Sequence, residues 1–405
     1  MLKIKGEYNE AIVYADIIDD STKEQIQTLL NQSFVSGVEI RIMPDCHAGA
    51  GCVIGTTMTI KDKIVPNLVG VDIGCGMLCI KLGKIDIDLP SLDNFIHENI
   101  PSGMTVNDDI TPIDLRIEDL KCFNALSNIT YLKQSIGSLG GGNHFIEIDE
   151  ASDKTKYLII HSGSRNLGKQ VAEIYQDKAI KYHQNKLFDK KAESIKTIEE
   201  LKKSGRQREI QAALEVINNT VVKLEMPKDL CYLEGEDFSD YIFDMDLCQK
   251  FALENRKEIA RRILKFLNLE NDNIESFETI HNYINMEDMI MRKGSIAAYS
   301  GQKVLIPINM KDGCILGKGK SNPEYNYSAP HGAGRLLSRN EAIKKLSMSE
   351  YKKVMKGIYS TTVNKNTIDE APMAYKPIEV ILNNIKDTVE IEEVIKPIYN
   401  FKASE

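Results

Sequence analysis

With 405 residues, 42% of them hydrophobic and 27% charged, the chain is long enough to bury a large core. A net charge of -8 excludes wholesale coating of nucleic acid, because nonspecific phosphate affinity comes from Lys and Arg, so a nucleic-acid substrate would have to meet a local basic surface. No run approaches the roughly 18 apolar residues of a membrane span, the opening Met1-Leu-Lys-Ile-Lys-Gly-Glu7 lacks an apolar signal core, and eight scattered cysteines form no CxxC pair, so we expect a cytoplasmic protein with reduced thiols and no membrane partner.

Residues 3–18 alternate loosely, with a first strand expected over 11–14, and residues 21–34 read as an amphipathic helix whose Ser21 and Glu24 suggest a capping box. A strand over 38–43 runs into Pro44-Asp45-Cys46-His47-Ala-Gly-Ala-Gly51, a polar pair before a Gly-rich loop. A further strand, 52–60, precedes Asn67-Leu-Val-Gly-Val-Asp72-Ile-Gly-Cys75-Gly-Met77. Gly74 and Gly76 let this stretch bend sharply, so Asp72 and Cys75 can converge and offer one hard and one soft ligand, a pair suited to zinc, manganese or iron. The strand continues over 77–82; beyond it, residues 117–126 read as helical and 101–112 as loop.

Ser135-Ile-Gly-Ser-Leu-Gly-Gly-Gly-Asn143-His144 places three consecutive glycines where backbone amides could approach a phosphate, followed by a strand in which Phe145 and Glu147 share one face and Ile146 and Ile148 the other. A near-continuous apolar strand, 156–161, delivers His161 to its mouth just before Ser-Gly-Ser-Arg165. Residues 169–267 change character, with helices expected over 172–187, 191–203, 206–224 and 240–267; we read them as a helical insertion built onto the sheet. His281 follows, then a stretch rich in Lys, Arg and Gly leading to Ala329-Pro330-His331-Gly-Ala-Gly-Arg335, helices near 338–345 and 347–359, and the tail Asp369-Glu-Ala-Pro-Met-Ala-Tyr375-Lys.

Five of the seven histidines, His47, His144, His161, His281 and His331, fall in Gly-, Asn- or Ser-rich motifs at expected strand ends or loops. With Asp72 and Cys75 they supply enough nitrogen, oxygen and sulfur donors for two metal ions, and Cys75 could bridge them.

The segments around Asp45, Asp72 to Met77, Asn143 to Glu147, His161 to Arg165, His281, His331 to Arg335 and Asp369 to Lys376 together resemble the RtcB-type RNA-splicing ligase family, in family order across nearly the whole chain. The resemblance implies an α+β fold: one large mixed-sheet catalytic domain, 1–405, carrying the helical insertion. It implies a GTP- and manganese-dependent ligase that joins RNA 3'-phosphate or 2',3'-cyclic phosphate ends to 5'-hydroxyl ends, in tRNA splicing or RNA repair. Asp72, Cys75 and His144 then look like the ligands of one Mn2+, and Cys75, His161 and His281 like those of the second. His331 looks like the nucleophile that becomes guanylylated, with Asp45 orienting the incoming 5'-hydroxyl. Nucleotide contacts would fall on Asn143, His144, Phe145, Ile146, Glu147, His281, Asn282, Pro307, Ile308, Asn309, Met310, Cys314, His331, Gly332, Ala333, Gly334, Tyr375 and Lys402, with Glu147 as the acceptor that distinguishes guanine. Arg165, Lys293, Arg335 and Arg339 would meet RNA phosphates. Where the family usually has Pro-Gly-Ser-Met-Gly, this chain has Pro307-Ile-Asn-Met-Lys311, so Lys311 would bring bulk and charge to the nucleotide. Two other readings fit the same residues: a metal-dependent RNA-end phosphoesterase and a non-catalytic RNA-end sensor.

Overall fold

The computed structural model describes residues 1–16, 18–269 and 274–403; the first alternating stretch runs through Ile17, which lies outside them. Fifteen strands are described: β1 (Leu2–Lys5), β2 (Glu10–Val13), β3 (Ile40–His47), β4 (Ile54–Thr59), β5 (Gly76–Gly83), β6 (Phe145–Glu150), β7 (Lys156–Ser162), β8 (Ser276–Ile280), β9 (Asn282–Asn285), β10 (Ile290–Lys293), β11 (Ser295–Ala297), β12 (Lys303–Asn309), β13 (Gly313–Gly319), β14 (Ser328–Pro330) and β15 (Val389–Lys402). They build a six-stranded sheet of order β1-β2-β3-β4-β10-β9, a β11-β14 pair, and a seven-stranded sheet of order β12-β13-β15-β6-β7-β5-β8. The larger sheet curls until its two edges approach, and the Thr279 hydroxyl on β8 donates to the Leu305 carbonyl on β12 at 3.5 Å.

Alternation along β5, β6 and β7 explains how the curl is filled. Leu78, Ile80, Ile146, Ile148, Leu158 and Ile160 face outward, where they pack on Leu92 and Ile96 of α3 (Leu89–Asn99) and on Ile259 and Ile263 of a long later helix. Met77, Cys79, Phe145 and Ile159 face inward with Leu305, Cys314, Leu316 and Ile395. Residues 158–161 are buried because β7 lies between β6 and β5, both antiparallel to it, with Leu158 and Ile160 packed in the outer core and Ile159 in the inner one.

The first helix, α1 (Asp20–Leu30), starts one residue before Ser21 because the Asp19 carboxylate accepts the Thr22 amide, and it stops short of Phe34. Residues 117–126 are not a helix; only Ile117–Asp119 and Phe123–Ala125 make single tight turns, because the amides of Lys121 and Cys122 between them are taken by the buried Asp244 carboxylate. α2 (Pro66–Val69) precedes β5, and α4 (Ile129–Gln134) follows those two turns.

Between β7 and β8 come α5 (Arg165–Leu187), α6 (Lys190–Lys203), α7 (Ile210–Asn219) and α8 (Gly235–Phe266). The helix expected over 206–224 is shorter, with a tight turn at Gln207–Glu209 before it and no helix after Thr220. This segment is not set apart from the rest: Val171, Ala172, Tyr175, Met245 and Phe251 belong to the main core, whereas α6 buries no residue fully. α9 (Arg339–Lys345) is capped by Ser338 and Glu341, and α10 (Met348–Val354) and α11 (Ile378–Asn384) complete the helices. No helix among the described residues is long and apolar enough to cross a membrane, and all eight cysteines are buried and unpaired.

Candidate functional site

Strand register gathers the expected ligands. His161 near the end of β7 stands opposite Met77 on one side and Phe145 on the other, and Gly76 pairs with Ile280. Cys75, His144 and His281, each one residue beyond those partners, therefore emerge at one end of four adjacent strands. Gly74, at φ +73°, makes the turn that returns Cys75 toward Asp72, and the Cys75 amide donates to the Asp72 carbonyl at 3.2 Å. Gly76 serves differently: a side chain there would collide with the Thr279 carbonyl across the β5–β8 pair.

At the convergence, Cys75 Sγ lies 3.4 Å from His144 Nε2 and 3.3 Å from His161 Nε2, and Asp72 Oδ2 lies 3.1 Å from His144 Nε2. The other ring nitrogens are held from behind. His144 Nδ1 is 2.8 Å from the Leu139 carbonyl and His161 Nδ1 is 3.2 Å from the Asn143 carbonyl, which leaves both Nε2 atoms facing the thiol. His281 is buried, and its Nδ1 has no hydrogen-bond partner in the described structure. Its ring lies 5.2 Å from that of His161 and 4.9 Å from that of His331, so imidazoles 144, 161, 281 and 331 form a continuous file.

Burial pushes His161 and His281 well below the ordinary histidine value, and neighbouring imidazoles add to the effect, so both rings are neutral and able to ligate. Burial would raise the Asp72 carboxyl, but the His144 hydrogen bond and charge outweigh it and hold the group below its usual range. Burial, then the Asp72 charge, push the Cys75 thiol well up, so a bound cation would have to displace its proton. A hard oxygen, a sulfur and neutral imidazoles, one with an orphaned nitrogen, fit a divalent transition metal.

Next to this group a cavity of about 270 Å³ opens, lined by His331, His161, Asn143, Phe145, Glu147, Tyr375 and Lys402 together with the 307–310 and 332–334 segments. His331 presents its ring to this cavity, and Asp45 stands behind it: Oδ2 is 2.7 Å from Nδ1 and also accepts the amides of His331 and Gly332 at 3.1 and 3.2 Å. Asp45 is fully buried, so it positions the imidazole rather than facing an incoming hydroxyl. The Asp45 contact occupies Nδ1, and Nε2 makes no hydrogen bond among the described residues. Phe145 and Glu147 face the cavity, as the alternation requires.

Five expected nucleotide contacts lie elsewhere. Ile146 is in the outer core because it occupies the opposite face of β6. Asn282 ties down the Asp72 turn, its carbonyl accepting the Gly74 amide and its side chain donating to the Asp72 carbonyl. Cys314 is buried inside the curled sheet. His144 sits at the thiol, and the His281 ring sits between those of His161 and His331, neither on the cavity wall. Lys311 is exposed on a turn capped by Asn309, whose side-chain oxygen accepts the amides of Lys311 and Asp312, so it takes no space from the cavity. The triple-glycine loop contributes only Asn143 to the lining; a side chain at Gly140 would collide with Arg165 and His144.

The four expected phosphate-binding cations divide. Arg335 and Arg339 line the cavity, paired with the buried Glu370 at 3.0 Å each, and Arg339 also with Asp369 at 2.6 Å. Lys293 is 6% exposed and its ammonium donates to the Ala50 and Asn67 carbonyls, while Arg165 donates to Ser138 Oγ and the Gly103 carbonyl. Both are tied into the structure. Sequence reasoning missed Glu370, which accepts from Tyr375 at 2.5 Å and pairs with Lys402 at 2.9 Å, and Asn400, which donates to Glu147 at 2.9 Å. His47, one of the five motif histidines, stands on the cavity wall with Nδ1 3.1 Å from the Asp45 carbonyl. His97 and His183 contact Thr361 and Tyr232, outside the site.

Side chains able to hold a metal ion thus adjoin a cavity to which His331 presents its imidazole, an arrangement suited to an enzyme. The family described as "tRNA-splicing ligase RtcB" matches residues 25–124 and 120–403. The chain belongs to the RtcB family. It is 27% identical to "RNA-splicing ligase RtcB" of Escherichia coli K12 over 95% of each chain, and 27% identical to "tRNA-splicing ligase RtcB" of Aeropyrum pernix over 91% of this chain and 89% of the other. A second Escherichia coli protein, "RNA-splicing ligase RtcB2" of strain ATCC 25922, is 24% identical over 84% of this chain and 81% of its own length.

Proposed function

We propose that the protein is a GTP- and manganese-dependent RNA ligase that joins RNA 3'-phosphate or 2',3'-cyclic phosphate ends to 5'-hydroxyl ends through a guanylylated His331. The observation that carries this reading is the placement of His331: oriented from behind by Asp45, presented to the cavity, and one imidazole away from the thiol-centred donors. Asp72, Cys75, His144, His161 and His281 would hold two manganese ions. Bound there, the ions supply positive charge to the phosphoryl oxygens as negative charge develops.

The residues divide the remaining work. Asp45 keeps the proton on Nδ1 of His331, so Nε2 attacks the α-phosphate of GTP and pyrophosphate leaves, giving a phosphoramidate that stores the activation. Glu147, anchored by Asn400, accepts from the guanine edge, while Phe145 and Tyr375 wall the base and ribose. Lys402 and Arg335 offer positive charge to the nucleotide. The RNA 3'-phosphate then takes the guanylyl group, and the 5'-hydroxyl attacks the activated phosphate and releases GMP. An acidic chain thus keeps its local basic surface at the cavity rim.

The test is ligation itself. Two labelled RNA fragments, one ending in a 2',3'-cyclic phosphate and the other starting with a 5'-hydroxyl, should be joined by wild type with manganese and GTP and not by His331→Ala. Cleavage of the cyclic end without GTP and without joining would favour a phosphoesterase instead.

A further inference from the structure

Inside the curled sheet lies a second group of ligand-type side chains, separate from Cys75. Glu147 and Asp149 are two residues apart on β6 and face the same way, and Cys314 comes from β13, on the far side of β15. One donor atom from each lies within 4.8 Å of the others, and the three residues are 2%, 0% and 0% exposed. Neither Asp149 oxygen meets a nitrogen or hydroxyl donor, and its polar neighbours are the Cys314 thiol and the Glu147 carboxyl. The side-chain oxygen of Asn400, which is 1% exposed and whose nitrogen donates to Glu147 Oε1, has no partner among the described residues.

A buried carboxylate without a donor is costly unless a proton or a cation completes it. The nearby lysines are already engaged, Lys402 by Glu370 and the Asn143 carbonyl and Lys396 by the Asp312 carbonyl. Burial pushes Glu147 and Asp149 upward, the Glu147 charge adding to the effect on Asp149, and burial followed by the Asp149 and Glu147 charges pushes the Cys314 thiol well up.

We propose that Glu147, Asp149 and Cys314 bind a divalent cation of the zinc or cobalt type. Two carboxylates and one thiolate suit such an ion better than calcium or magnesium. Binding sends the thiol proton and any carboxyl proton to solvent, leaving a thiolate and two carboxylates as ligands. Glu147 and Asn400 line the cavity, which gives the ion its route in. Once bound, the ion fixes the cavity floor and holds Glu147 ionised. The site stands whether or not the ligase reading does.

The test is metal content with CoCl2 as the probe. Cobalt-loaded, dialysed wild type should carry one equivalent more than Asp149→Asn and Cys314→Ala, each of which keeps the Cys75-dependent cobalt and its thiolate absorption. Wild-type crystals soaked in CoCl2 should show an anomalous peak between Glu147, Asp149 and Cys314, a measurement that stands even if a variant fails to fold. Unchanged cobalt content in folded variants, or a soaked wild type with cobalt only at Cys75, would overturn the proposal and leave a carboxyl pair sharing a proton.

Discussion

Asp45 Oδ2 and His331 Nδ1 lie 2.7 Å apart across 286 residues of sequence, and the same oxygen takes two backbone amides from the His331 turn. One buried carboxylate therefore fixes the turn, the ring orientation and the tautomer together. Replacing Asp45 with Asn keeps the size but lets the amide present its nitrogen to Nδ1, which favours the tautomer with Nε2 protonated. Guanylylation by Asp45→Asn should slow by about 10²- to 10⁴-fold, while GTP affinity changes little. Single-turnover labelling alongside equilibrium binding separates the two effects.

The thiol-centred group should make stability depend on metal. Manganese at 100 times its dissociation constant adds about 2.7 kcal/mol to the folded state, so wild type should melt at a higher temperature with manganese than with chelator. Cys75→Ala should lose most of that increment, as should His161→Ala. Paired melting curves measure it.

Glu147 gives a pH signature. Burial raises its carboxyl to about 7 from an ordinary 4.5, with Asn400 and Lys402 partly opposing. Between those values the folded protein holds a proton that the unfolded chain releases, so stability contributed at this position falls as pH rises through the window. The full difference is roughly 3 kcal/mol, shared with neighbouring Asp149. In chelator-treated protein, the melting temperature of wild type relative to Glu147→Gln should decline from pH 5 to pH 7; a constant gap would contradict it.

Glu370 has the opposite sign. Burial disfavours its charge, but Lys402, Arg339 and Arg335 overcome that and hold it at about 2. Its stabilisation is present above the ordinary carboxyl value and is lost as pH falls toward 2. Removing it takes the buried carboxylate from Lys402 and Arg335, so Glu370→Ala should cost about 3 to 5 kcal/mol. Denaturant titration near pH 7 gives the number.

Much of the site was legible because its residues end strands. The alternation of β6 correctly set Phe145 and Glu147 against Ile146 and Ile148, and the short Asp72-to-Cys75 spacing marked a real convergence. Other features depend on partners remote in sequence. Nothing local distinguishes Asn400 from a surface asparagine until β15 pairs with β6, and Lys293 reads as a phosphate ligand until the Ala50 and Asn67 carbonyls meet it. The Gly140 requirement is similar: three glycines suggested phosphate contact, but Arg165 and His144 press on that position. The 117–126 segment had helical periodicity, yet the buried Asp244, 123 and 122 residues away, claimed the amides of Lys121 and Cys122.

The most direct measurement is labelling of His331. Incubated with manganese and α-labelled GTP, wild type should acquire acid-labile label that survives denaturation, and peptide mapping should place one guanylyl group on His331, with none on His331→Ala. Wild type that stays unlabelled with manganese bound, or label that persists on another residue in His331→Ala, would contradict the account.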